Sequence, residues 1–180
     1  MAIYRLLFEN KKIDNDNLKL NLEKQRLELE TLKFKEEKKS TTIEHDKEIY
    51  KKFLEILPSN SESIVFLKEK SFRSPFNNNE FHNFHKLYYD FNGEEDKFAD
   101  IDMNFKQKEL YNSISSLIYD IEIKTYPLEH NAQYNSVLSE WQNNKQNKLF
   151  EKTVQDLDKL GENTLKMHEE LIQIAKKKLY

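Results

Sequence analysis

His82 and His85 are the residues whose type and spacing come closest to a reactive constellation. Residues three apart on a helix share a face. A carboxylate such as Asp90, or one from a facing helix, would complete a metal site or supply a base. Metal sites in helical bundles usually add Glu-x-x-His pairs. Asn79 stands three before His82 and Leu165 three before His168, so neither histidine has that pair. The competing reading places His82 and His85 at the rim of an aromatic core or in solvent.

Three further patterns touch on chemistry. An RNA-cleaving bundle would place an arginine shortly before a histidine on one helix. Arg73 precedes His82, but Pro75 and an asparagine run separate them, so no continuous helix face joins them. The segment from Asp90 to Asp96 resembles the start of a calcium loop, yet its glycine is fourth rather than sixth and Ile101 occupies the twelfth place. It reads better as an acidic helix-to-helix connection. His168-Glu169-Glu170 offers a base pair in a cleft, or more simply a boundary between core and solvent. No catalytic, cofactor-binding or metal-ligating residue is assigned.

Composition removes other classes. The 180 residues hold two glycines, Gly93 and Gly161, which leaves no phosphate-cradling or dinucleotide loop. There is no cysteine, hence no disulfide, thiolate site or thiol nucleophile. The net charge is -3, and Arg5, Arg26 and Arg73 are the arginines, so nucleic acid is not the expected partner. No apolar run reaches the roughly 20 residues of a membrane span, and the beginning lacks the long apolar core of a signal peptide. A cytoplasmic protein is expected, with an upstream segment left open.

The elements that must position any site are helical. Charged residues make up 34% and apolar ones only 37%, with mean hydropathy -0.89. Long helices with narrow apolar stripes need less apolar material than a sphere. The expected fold is all-α: an N-terminal coiled-coil-like arm, then an elongated helical bundle, with domains at 1–45 and 46–180. Residues 1–13 read as a first strand or a packed helical turn. Asp14 to Asn17 read as N-cap formers before a charged helix over about 18–39, and Ser40-Thr41-Thr42 as a weak break. Asp46 reads as the cap of a helix to Leu57, ended by Pro58, and Ser61 as the cap of a short helix through Leu67. Further helices are expected at about 80–91, 101–123 and 148–178, with loop or a short helix over 128–147. Phe72, Phe76, Phe81, Phe84, Tyr88, Tyr89 and Phe91 form an aromatic cluster, read as core, with a peptide groove as the functional reading. Gly161, within the last helix, points to a close crossing or a kink.

The most specific pattern is a heptad. Leu18, Leu22, Gln25, Leu29, Leu32 and Glu36 alternate at spacings of four and three. Leu20, Leu27 and Phe34 recur every seven and are taken to broaden the apolar face, implying more than one packing partner. Glu23, Lys24, Glu28, Glu30 and Lys33 read as its solvated outer face. Gln25 would set register and strand number. Trp141, in a polar stretch, is a candidate exposed anchor. These residues point to a non-enzymatic interaction or scaffold protein that forms a homo-oligomer or captures a protein partner through helix 18–39. Its small size suits an accessory subunit, for example in a bacterial defence or toxin-neutralising system. The arm could equally pack back as an intramolecular hairpin. The alternative is a helical-bundle hydrolase or nuclease with a site near His82, His85 and Asp90.

Overall fold

A computed structural model describes residues 2–137 and 147–180, with side chains from residue 18 onward. Its described residues are predominantly helical. The order is α1 (Ala2–Ile56), α2 (Glu62–Glu69), β1 (Phe76–Asn77), α3 (His82–Asp90), α4 (Ile101–Lys124), β2 (Tyr126–Leu128), β3 (Asn131–Ser136) and α5 (Asn147–Leu179), with 3-10 turns at Asn78–Phe81 and Glu94–Asp96. The chain divides into two units, Met1–Ile43 and Glu44–Tyr180.

The first correction is that α1 is unbroken. Neither a strand at 1–13, nor a start at Asp14 to Asn17, nor a break at Ser40 to Thr42 is present. No glycine or proline precedes Pro58, and Asn, Asp, Ser and Thr cost a helix interior only tenths of a kcal/mol up to about 0.7 each. Thr41 and Thr42 donate their hydroxyls to Glu37 O and Lys38 O at 3.0 and 2.9 Å, satisfying themselves inside the helix. Pro58 then ends it.

Asp46 is therefore no cap. It lies mid-helix, buried, and accepts from Ala99 N at 2.6 Å and Asp100 N at 3.0 Å. Its carboxylate satisfies backbone donors just ahead of α4 rather than those of its own helix. Ser61 precedes α2, but its hydroxyl makes no capping bond. Asn77 does cap, accepting from Asn79 N while Glu80 reaches back to Asn77 N. Asp100 caps α4 through Asp102 N and Met103 N, both at 3.0 Å.

Helices α4 and α5 form the main packed pair of the second unit. Three rungs give their direction. Lys178 bonds Asp100, Lys106 bonds Glu170, and Ser113 bonds Thr164. Numbers rise along α4 as they fall along α5, so the pair is antiparallel. The heptad-like spacing of Met103, Gln107, Leu110, Ile114, Leu117 and Ile121 predicts the α4 stripe, and Met103, Leu110, Ile114, Leu117 and Ile121 are buried while Gln107 turns to Asp96 O. On α5 the three-four spacing of Phe150, Thr153, Leu157, Leu160, Thr164, Met167, Leu171 and Ile174 predicts a seam, and the buried line drifts from it. It keeps Phe150, Leu157, Thr164 and Leu171 but takes up Gly161, His168 and Ala175, leaving Leu160, Met167 and Ile174 half-buried. A straight helix at 3.6 residues per turn slips about 20° per heptad against a strict 3.5 repeat. That slip moves His168 from the boundary into the core.

The aromatic cluster is core. Phe66, Phe72, Phe76 and Phe81 meet mostly edge to face, with centroids 4.8 to 5.9 Å apart. Phe84 and Phe91 are also buried, whereas Tyr88 is half-buried and Tyr89 exposed. Gly161 is a close crossing: an added Cβ would lie 3.0 Å from Leu67 Cδ2 and 3.7 Å from Phe72 Cε2.

A small antiparallel sheet, in the order β1-β3-β2, replaces part of the expected loop over 128–147. Leu128 pairs with Asn131 around a two-residue turn, and Phe76 pairs with Asn135. The strand Asn131–Ser136 offers only Ala132 and Tyr134 as an alternating apolar pair, and pairing on both its edges supplies what so short a pattern does not.

Candidate functional site

Within the first unit, α1 carries the heptad row at a regular 3.6-residue turn. Its leucines are exposed: Leu18 60%, Leu22 59%, Leu29 58% and Leu32 56%. The exposure of single apolar residues is ordinary, but a periodic row of them is not. Leu20, Leu27 and Phe34 are exposed as well, Phe34 at 68%.

The angles correct the reading of that second row. At about 100° per residue, Leu18, Leu22, Gln25, Leu29 and Leu32 fall within about 40° of one line, and Leu20, Leu27 and Phe34 fall about 160–200° from it. The second row does not broaden the first. It is a separate, opposite face. In heptad letters Leu22 and Leu29 take the a positions and Leu18, Gln25 and Leu32 the d positions. Lys19, Arg26 and Lys33 then occupy e, and Asn21, Glu28 and Lys35 occupy g. Glu28 and Lys33 thus flank the seam rather than belonging to the outer face. Arg26 also pairs with Glu30 one turn on, at 3.6 Å, in the open. Such exposed pairs contribute about 0.3–0.5 kcal/mol. Trp141, the other candidate anchor, lies outside the described residues.

The histidines do not converge on chemistry. His82 is exposed on α3, His85 is half-buried and stacks on Tyr89 with centroids 6.4 Å apart, and Asp90 is exposed. The buried face of α3 is Phe84 and Leu87. His45 meets Lys97 O at 3.2 Å, and His130 is exposed in the hairpin turn. His168 is 1% exposed and donates from Nε2 to Leu57 O at 3.0 Å. That donation makes Nδ1 the unprotonated nitrogen, and it has no partner. Burial pushes His168 below its ordinary value of 6.5, with the Leu57 hydrogen bond opposing. Among the described residues no histidine bonds a carboxylate, and no group of three or more His, Asp or Glu is placed to hold a metal ion.

The other charged candidates are engaged in packing. Arg73 forks onto Glu151, its Nη1 donating to Oε1 at 2.8 Å, and lies over the Phe150 ring. In the acidic connection, Asp96 is buried and accepts from Gly93 N at 3.2 Å. Asp100 receives Lys178 at 2.7 and 2.8 Å. Burial of Asp100 disfavours its charge, but the Lys178 ammonium and the backbone donors of α4 outweigh that and hold its pKa down. Glu170 is held low by its bond to Lys106.

An open groove of about 550 Å³ runs beside α4, lined by Phe91, Asn92, Lys97, Gln107, Lys108 and Tyr111 among others. Its size suits a small ligand. Tyr111 donates to Tyr88 O at 3.3 Å, and burial pushes its hydroxyl further into the protonated form. Asn92, Lys97, Gln107, Lys108 and Tyr111 can donate hydrogen bonds, and the Lys97 ammonium is already paired with Glu94, which also lines the groove.

Asp46 and His168 are the buried polar residues whose roles sequence reasoning missed. An N-cap former looks the same in sequence whether or not the helix starts there. The 11-residue repeats Phe150–Gly161–Ile172 and Leu157–His168–Leu179 were the available signal for His168.

Comparison with protein-family models, characterised proteins and solved structures gives no match for this chain. No described helix is long and apolar enough to cross a membrane.

Proposed function

We propose that this chain is a non-enzymatic interaction protein working through helix 18–39, which self-associates or takes up a partner helix. Leu18, Leu22, Leu29 and Leu32 would enter the holes of a facing helix, with Gln25 setting register. The observation that carries this reading is the exposed leucine row with heptad spacing on a regular helix. A cytoplasmic setting belongs to the same proposal. So does a role as accessory subunit of a bacterial defence or toxin-neutralising system, which rests on small size and on a sequence without a catalytic motif.

Magnitudes set the expected strength. Four leucines returning about 1.5 kcal/mol each give roughly 6 kcal/mol per chain, or about 12 kcal/mol for a pair of such helices. Association costs about 4–15 kcal/mol. A seam of two heptads therefore gives reversible assembly that depends on concentration. The test is sedimentation of the full chain beside its Leu22→Asp/Leu29→Asp variant, with circular dichroism to confirm that both are folded. The reading expects the variant to lose mass. A wild-type oligomer whose mass the double change leaves untouched would place the interface elsewhere.

A further inference from the structure

Resting on that reading, we infer that the occupant of the seam is a second copy of this chain, aligned parallel and in register. The flanking charges separate the orientations. In a parallel pair, each g residue faces the e residue five positions on in the other copy. Glu28 then meets Lys33 of the second copy, twice by symmetry, and Asn21 meets Arg26. In an antiparallel pair, e faces e and g faces g. Arg26 would then meet Arg26, Lys19 would meet Lys33, and Glu28 would meet Glu28. One orientation pairs opposite charges and the other sets like charges together on both flanks.

The polar seam residue agrees. In a parallel dimer Gln25 faces Gln25, and the two amides satisfy each other. In the antiparallel register that aligns the same layers, Gln25 faces Leu29 and its amide is left against an apolar side chain. A polar group at a single core position is the recognised device for fixing register. Glu36 would face itself in the parallel pair, which ends the seam after Leu32. Leu20, Leu27 and Phe34 lie on the far side and stay outside the dimer.

The chain has no cysteine, so one introduced thiol reports orientation cleanly. Gln25→Cys in the full chain should form a disulfide-linked dimer under mild oxidation, because only the parallel register brings position 25 against itself. Leu22→Asp/Leu29→Asp added to Gln25→Cys should abolish the cross-link. A chain that is dimeric by sedimentation and dissociates with the double aspartate, yet fails to cross-link through residue 25, overturns the parallel register and leaves the helix as the interface. A monomer at every concentration overturns the second copy as occupant. A cross-link that survives the double aspartate overturns both this inference and the reading beneath it.

Discussion

At the scale of single residues, the sharpest consequences sit on buried polar groups. His168 holds a neutral ring in the core, with Nε2 donating to Leu57 O. Its folded pKa lies below the ordinary value of 6.5, so the unfolded chain binds more protons between those two values. Stability from this group is complete above about pH 6.5 and is lost as pH falls toward the folded pKa. Thermal melts from about pH 7.5 to about pH 5.5 should show stability falling with acid, and His168→Gln, which keeps a donor without the titration, should flatten that slope. An unchanged slope in the variant would assign the pH dependence to other groups. Asp46 gives a second case. Its carboxylate accepts from Ala99 N and Asp100 N, and removing it strands two backbone donors. Asp46→Ala should cost about 2–3 kcal/mol in urea unfolding, within the range for hydrogen bonds to charged groups.

At the scale of elements, the Gly161 crossing makes a directional prediction. An added Cβ at 3.0 Å from Leu67 Cδ2 requires a small shift of a side-chain tip. A β-branched residue requires more. Gly161→Val should lower the urea midpoint by an amount corresponding to about 1–3 kcal/mol, the usual scale of overpacking, with an unchanged slope. Much of the element plan was legible in sequence, for identifiable reasons. Pro58 ends its helix by steric chemistry that needs no tertiary context, and Asn77, in an asparagine run ahead of the next helix, is a cap former by its side chain alone; the Asp100 cap was missed. The continuity of α1 was not legible, because Asp14 to Asn17 and Ser40 to Thr42 look like boundaries, and only a break in the backbone would make them so. The strands were missed because β3 is mostly polar, with only Ala132 and Tyr134 apolar, and owes its state to neighbours on both edges. The heptad residues were found by spacing. That their second row lies on the opposite face follows from the same 100° step, applied to a helix that runs straight through both rows.

At the scale of the molecule, charge and apolar supply are divided unequally. The second unit buries its aromatic residues and most of its α4 and α5 stripes. The first unit displays leucines on one face and Leu20, Leu27 and Phe34 on the other. Five histidines and 61 charged side chains produce no described cluster with a nucleophile, base and electrophile together. The association proposed for helix 18–39 should follow concentration and the integrity of the leucine row.

The most direct measurement is the solution mass of the full chain by light scattering, followed from dilute to concentrated and repeated on Leu22→Asp/Leu29→Asp. Assembly through helix 18–39 predicts a mass that climbs from one chain toward two in the wild type and stays at one chain in the variant. A wild-type oligomer matched at every concentration by the double aspartate variant would contradict it.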